Sequence, residues 1–187
     1  MLIAEKKITV EEFRQMEFEG EDAYHELING EIVKESGPTP LHQKVSFLLS
    51  LSMGNFIVEK NLGNLFTAPV DVFLHENIHV LPDLVFVSNA NKGIIDYKEG
   101  IMGVPELVVE IISPSSIYKD RVLKNNDYEA AGVHEYWLVD PKNQSVEVYE
   151  NVDKAFQLLA FSAEAGKVHS KVLEGFELDI TTIFQPA

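Results

Sequence analysis

The run Leu107-Val108-Val109-Glu110-Ile111-Ile112, closed by Ser113 and Pro114, constrains the fold more than any other stretch of the chain. A short continuous aliphatic run bounded by turn residues reads as a strand buried on both faces, the kind found in the middle of an α/β sheet. Glu110 is out of place there. An ionised carboxylate at such depth costs several kcal/mol unless it is paired, hydrogen-bonded or bound to a metal, and a whole domain is stable by only about 5–15 kcal/mol. A partner for Glu110 is therefore a requirement of the fold.

At 187 residues, with 45% hydrophobic and 10% aromatic residues, the chain has material for one domain with a substantial core. No apolar run approaches the ~20 residues that span a bilayer, and Glu5, Lys6 and Lys7 interrupt the N-terminus where a signal sequence would be apolar. A membrane role is not expected, and the cytoplasm is the expected compartment. With no cysteine, disulfides and thiolate metal sites are excluded. The net charge of −15 keeps such a chain dispersed and repels nucleic acid over about a Debye length, ~8–10 Å, so a nucleic-acid role requires a local positive patch.

Read in order, Thr9 and Glu12 make a capping box for a short helix ending near Met16, followed by an acidic loop. Residues 24–33 form a hairpin about Asn29-Gly30, a dipeptide suited to positive φ at both central turn positions. Val45, Leu48, Leu49, Ser52 and Phe56 recur at helical spacing, predicting a helix over about 41–60, stopped at Gly63. Strands are expected over 65–74 and 79–87, then a loop over 88–104 that can hold a helical turn, then the central strand. Ser115 or Ser116 caps the next helix, which runs to about Ala131 with Gly132 as its stop. A strand over 135–139 and an antiparallel meander through 146–149, 156–161 and 168–173 complete the chain.

Several polar residues can converge on Glu110. Asp83 opens the apolar strand Leu84 to Val87, and Asp120, Lys124 and Tyr128 share one face of the helix after the central strand. Two carboxylates and a lysine suit a hard divalent cation, which takes one or two protein carboxylates together with phosphate oxygens. The same residues have structural readings. Asp83 can cap nearby amides, Glu110 and Lys124 can be a buried ion pair with no chemistry, Asp120 and Lys124 are an ordinary helix pair, and Tyr128 can be core.

The blocks Tyr24 to Glu31, Ala68-Pro69-Val70-Asp71-Val72, Leu81-Pro82-Asp83-Leu84-Val85-Phe86-Val87, Pro105 to Ser115 and Gly132 to Pro141 resemble the Uma2 family of bacterial endonucleases. That family falls within the PD-(D/E)XK nuclease superfamily. The resemblance covers nearly the whole chain. It implies a mixed α/β, α+β-type sheet with a restriction-endonuclease-like core, ordered helix, three strands, helix, strand. That core would occupy about 24–141 of a single 1–187 domain, with an N-terminal hairpin and a C-terminal meander over about 142–187. It further implies a Mg²⁺- or Mn²⁺-dependent endonuclease acting on DNA, with Asp83, Glu110 and the carbonyl of Ile111 as metal ligands and Lys124 as the third catalytic residue. Glu26 corresponds to an acidic residue that many relatives add from the N-terminal region, and His42 is a candidate for a phosphate contact or proton shuttle. One departure stands out: the superfamily's lysine follows the acid by two residues, where this chain has Ile112, and the resemblance implies that its place is taken by Lys124 on the following helix. Lys44, Lys119 and Arg121 are candidates for local positive charge at the cleft.

The alternative is a catalytically silent, partner-binding or structural member of the same fold. An open cleft beside Asp83 and Glu110 favours the enzyme, whereas a Lys124–Glu110 contact with no room for phosphate favours the silent module. Cutting both strands of a duplex takes two sites, so a homodimer is compatible with the enzyme. His75-Glu76-Asn77-Ile78-His79 fits the zinc-protease pattern letter for letter, but that chemistry needs both histidines on one helix face, and here the flanks alternate as strands around a turn at Asn77.

Overall fold

The computed structural model describes residues 7–18, 24–34 and 37–184. Most of the acidic loop expected after the first helix lies outside the described residues. Helix α1 (Val10–Arg14) starts with the reciprocal Thr9–Glu12 capping box. Strands β1 (His25–Ile28) and β2 (Glu31–Lys34) form the first hairpin, with Asn29 and Gly30 at φ 49° and 79°. Helix α2 (Pro40–Lys60) is capped by the Thr39 side chain and ends on left-handed Asn61, two residues before the expected Gly63.

The two long strands expected over 65–74 and 79–87 are each broken. They appear as β3 (Gly63–Thr67) and β4 (Val72–His75), then β5 (Ile78–Val80) and β6 (Leu84–Ser88). Pro69 and Pro82 lie in the breaks. Proline has no N–H for a ladder, so both strands end there and their halves join different sheets. The expected loop over 88–104 carries a small hairpin, β7 (Ile95–Asp96) and β8 (Gly100–Ile101). After β9 (Leu107–Ile111) the helical segment is not uniform: a π-helical stretch, Lys119–Lys124, runs into α3 (Asn125–Ala131). The Ser116 hydroxyl accepts from the Ser113 amide rather than capping the helix from within. Gly132 is left-handed at φ 91°, as expected. The chain continues through β10 (Glu135–Asp140), β11 (Ser145–Val152), β12 (Ala155–Ala163), β13 (Lys167–His169), β14 (Glu177–Asp179) and α4 (Thr181–Phe184).

The central sheet has the order β12-β11-β10-β9-β6-β3, with only β9 and β10 parallel. The succession α2, β3, β6, β9, α3, β10 is the helix, three strands, helix, strand core expected. The second sheet runs β2-β1-β5-β4-β8-β7. The third strand of the expected meander does not extend the central sheet. Instead β13 pairs with β14, because Val168 and Leu178 fold onto the apolar layer with α2 and leave Lys167 and His169 facing out.

Strand alternation then places the site. Leu107, Val109 and Ile111 point into the layer shared with α2, while Val108 and Ile112 point into the layer shared with α3 and the second sheet. Glu110 has the parity of Val108 and so faces α3. On β6, Leu84 opposes Val109, and one further step of the antiparallel register sets Asp83 across from Glu110.

Candidate active site

Glu110 is 4% exposed, and both donors on its carboxylate come from the helix after β9. Lys124 Nζ and Tyr128 Oη donate to Glu110 Oε1 at 2.9 and 2.7 Å. Lys124, itself buried, also lies 2.7 Å from Glu26 Oε1. Glu26, fully buried on β1, accepts from the Leu81 amide at 2.7 Å and faces Lys119 Nζ at 3.3 Å. The N-terminal hairpin thus supplies a second carboxylate to the lysine that answers Glu110.

Asp83 is anchored separately. Its Oδ2 accepts from the Ile111 amide at 2.7 Å and lies 3.2 Å from His42 Nε2. Thr39 caps α2 at the His42 amide, which sets the imidazole at the mouth of the strands. Burial lowers the His42 pKa, but the Asp83 carboxylate and the Ile111 backbone outweigh it, so the net direction is up. Burial likewise pushes Lys124 down, and the carboxylates of Glu110 and Glu26 more than reverse it, holding the ammonium charged.

These groups line one cleft of about 340 Å³, large beside the ~30 Å³ that a single water takes up in the liquid. Asp83, Glu110, Ile111, His42, Lys119 and Lys124 all border it, whereas Glu26 and Tyr128 stand behind the lysine and the glutamate. The structure therefore brings Asp83, Glu110, Lys124, Glu26, His42 and Tyr128 together. Of the three cations named for local charge, Lys119 lines the cleft. Arg121 turns away, donating to Glu147 at 2.7 Å beside Asp140, because a residue adjacent to Asp120 on the helix points to a different side. Lys44 is not among the lining residues.

The sequence placed Asp120 on the helix face shared with Lys124 and Tyr128, with an ordinary helix pair to Lys124 as the alternative, and did not single it out as a site residue. It is 2% exposed, it lines the cleft, and its buried Oδ1 has no hydrogen-bond partner. Burial raises its pKa despite Lys124 nearby. The available signal was its four-residue spacing from Lys124. The zinc-protease pattern is not a site: His75 ends β4, His79 lies on β5, and His79 Nε2 pairs with Asp71 Oδ1 at 2.7 Å.

The hydrogen bonds to Glu110 all fall on Oε1 and those to Asp83 all fall on Oδ2, among the described residues. No hydrogen bond reaches Asp83 Oδ1 or Glu110 Oε2 among the described residues, and both side chains belong to residues that line the cleft. Among the described residues no cluster of three or more His, Asp or Glu side chains forms a metal site by itself. Two carboxylates nevertheless fit a cation such as Mg²⁺, which completes its shell with water and phosphate.

Comparison with known proteins agrees with the fold. A crystal structure from Anabaena variabilis, described as a "putative nuclease belonging to DUF820", superposes with a TM-score of 0.75 at 19% identity, covering 95% of this chain and 97% of that one. An uncharacterised protein of Synechocystis is 26% identical over 172 residues, covering 90% of this chain and 96% of its own length. The family model Uma2, described as "Putative restriction endonuclease", matches residues 10–181. A chain matched over that span, with the restriction-endonuclease-like core and the cleft it builds, belongs to the Uma2 family.

Proposed function

We propose that this protein is an endonuclease that hydrolyses phosphodiester bonds of DNA in the cleft at Asp83, Glu110 and Lys124, with Mg²⁺ or Mn²⁺ as its cofactor. The observation that carries the reading is that Asp83 and Glu110, each with one carboxylate oxygen that accepts no hydrogen bond among the described residues, line one cleft beside a buried, charged lysine. Asp83 and Glu110, with the Ile111 carbonyl, would hold the cation. When bound, such a cation polarises phosphate oxygens and lowers the pKa of a coordinated water.

The chain's own groups do the rest. Lys124, kept charged by Glu110 and Glu26, cannot act as a base. It orients the attacking water and sets a fixed positive charge where negative charge builds on the phosphoryl oxygens. Lys119 adds charge at the rim, and Tyr128 fixes the Glu110 carboxylate from behind. His42, with its Nε2 on Asp83, orients that carboxylate and can relay a proton at the cleft mouth. Two such clefts, from two copies of the chain, would cut both strands of a duplex.

The catalytically silent reading keeps one observation in its favour, the direct Lys124–Glu110 contact at 2.9 Å. Incubation of the purified protein with supercoiled plasmid, linear DNA and RNA, with Mn²⁺ or EDTA, separates the two. The enzyme nicks DNA with Mn²⁺ and not with EDTA, and Glu110→Gln abolishes both nicking and the rise in melting temperature on adding Mn²⁺. A folded wild type that neither cuts DNA nor is stabilised by Mn²⁺ refutes the nuclease reading.

A further inference from the structure

Hydrolysis needs a group to take the proton of the attacking water, and Lys124, held charged, is not one. Asp120 is placed to be that group. In the π-helical stretch Lys119–Lys124 the buried residues are Asp120 and Lys124, and π-helical turns occur mostly at functional sites. Asp120 lines the same cleft as Asp83, Glu110 and Lys124. The Ser116 hydroxyl bonds to its carboxylate, yet its buried Oδ1 has no partner among the described residues. A buried acceptor left unmet costs about 1–3 kcal/mol, so Oδ1 calls for a donor that comes from outside those residues. Facing it are Lys119 and Lys124 from its own helix, Glu110 from β9, Asp83 at the foot of β6 and His42 from α2.

We propose that Asp120 is a further catalytic residue, whose Oδ1 accepts the proton of the attacking water; this rests on the nuclease reading of the cleft. The backbone of a DNA strand presents acceptor oxygens and no donor, since the 2′-hydroxyl belongs to RNA. Beside a seated DNA phosphodiester, the donor that a buried oxygen at the cleft wall meets is therefore a water. Nor is Asp120 a third ligand of a cation held by Asp83 and Glu110, because among the described residues no three carboxylate or imidazole side chains are grouped so as to hold one ion. Residues four apart share a helix face, so Lys124 can hold the oxygen of that water while Asp120 takes its O–H. Burial, outweighing the pull of Lys124 and Lys119, makes the carboxylate a stronger base than an exposed aspartate. In the step, the water oxygen bonds to phosphorus and the bond from phosphorus to the leaving sugar oxygen breaks. The proton of the water passes to Asp120, the leaving oxygen takes a proton from solvent, and Asp120 returns its own to solvent.

The test compares wild type with Asp120→Asn, which keeps the size of the side chain and an oxygen for Ser116, in Mn²⁺-dependent plasmid nicking from about pH 6 to about pH 9. Melting with and without Mn²⁺ is the second readout. The variant should keep the rise in melting temperature on adding Mn²⁺ and the KM for plasmid, and lose about 10²- to 10⁴-fold in kcat at pH 7. Its residual rate should climb about tenfold per pH unit, as hydroxide replaces the missing base, while the wild-type rate levels off. Asp120→Ala, which removes the acceptor altogether, should show the same loss and the same slope, and it carries the comparison if the asparagine variant does not fold. A wild type that cuts beside a variant that cuts equally well overturns this inference and leaves the nuclease reading standing. So does a variant whose pH profile parallels that of wild type, or one that no longer gains stability from Mn²⁺, which would make Asp120 a ligand. A wild type that cuts nothing with Mn²⁺ refutes the nuclease reading and this inference with it.

Discussion

Replacing Lys124 with methionine keeps the buried stem and removes the charge that lies 2.7 Å from Glu26 and 2.9 Å from Glu110. Two buried carboxylates then face each other without a cation. Breaking a buried pair from one side costs about 3–5 kcal/mol. A second route gives the same scale. The variant can relieve itself by binding one proton, and protonating a glutamate of ordinary pKa ~4.3 costs about 1.36 × (7 − 4.3) ≈ 3.7 kcal/mol at pH 7, but only about 1 kcal/mol at pH 5. The sign follows from linkage. A carboxyl whose folded-state pKa is raised lends stability that is present at low pH and lost as pH rises through that value. Lys124→Met should therefore lose roughly 4 kcal/mol relative to wild type at pH 7 and less at pH 5, where burial already holds the wild-type Glu110 carboxyl above the usual range and Lys124 pulls it back down. Urea unfolding followed by fluorescence of Trp137, the one tryptophan and fully buried, reads this directly. A loss below about 1 kcal/mol at pH 7, or an equal loss at both pH values, would show that Lys124 is not the counter-ion that makes Glu110 tolerable in β9.

Three further outcomes are expected. Glu26→Gln leaves Lys124 one carboxylate, so DNA nicking should fall about 10- to 100-fold, the scale on which orienting partners act, while Mn²⁺ still raises the melting temperature; loss of that rise would make Glu26 a ligand instead. Glu135, fully buried, accepts from Trp137 Nε1, Ser170 Oγ and the amides of Lys171 and Val172. Glu135→Leu should cost about 3–5 kcal/mol in urea unfolding by stranding those donors, without altering Mn²⁺-linked stabilisation. Asp127 has its pKa raised to about 6, chiefly by burial and against the pull of Lys7, so its ionisation destabilises the fold as pH climbs through the window from ~4 to ~6. With that carboxyl only half-buried, Asp127→Asn should gain no more than about 1 kcal/mol at pH 7.5 and nothing at pH 4, as judged by thermal melts at the two pH values.

What the sequence made legible was whatever local pattern decides. The Thr9–Glu12 box, the Asn29-Gly30 turn and the largely aliphatic run of β9 each carry their geometry within a few residues. Asp83, Glu110 and Lys124 were legible for a related reason, since a charged residue in an apolar strand or on an inward helix face demands a partner. The breaks at Pro69 and Pro82 were written in the sequence too, but that the halves part to separate sheets depends on pairing with β6 and β1, far away along the chain. Glu135 gave no local signal. Its four donors include three from Ser170 to Val172, so only the folded path of the C-terminal segment identifies it as a tie between β10 and that segment. The burial of Asp120 was not legible because a helix-face carboxylate looks the same in sequence whether bulk water or a cleft wall lies in front of it.

The direct pair and the open cleft were opposed as alternatives, yet both are present, and the position of the lysine explains how they coexist. One residue past the end of β9, position 112 has the parity of Glu110, so a lysine there would also point toward the acid. In this chain Ile112 instead packs in the apolar layer with Val72 and Leu138, and the charge arrives from the π-helical stretch on the opposite wall. From that side Lys124 meets Glu26 as well as Glu110, at 2.7 and 2.9 Å. A cation arriving at the free oxygen of Glu110 would not have to expel a lysine whose only counter-ion was that same carboxylate, because Glu26 still holds it. The second carboxylate thus turns a contact that would close the site in a two-residue pair into one that leaves half of Glu110 available. It also ties the lysine to the N-terminal hairpin, since Glu26 lies on β1.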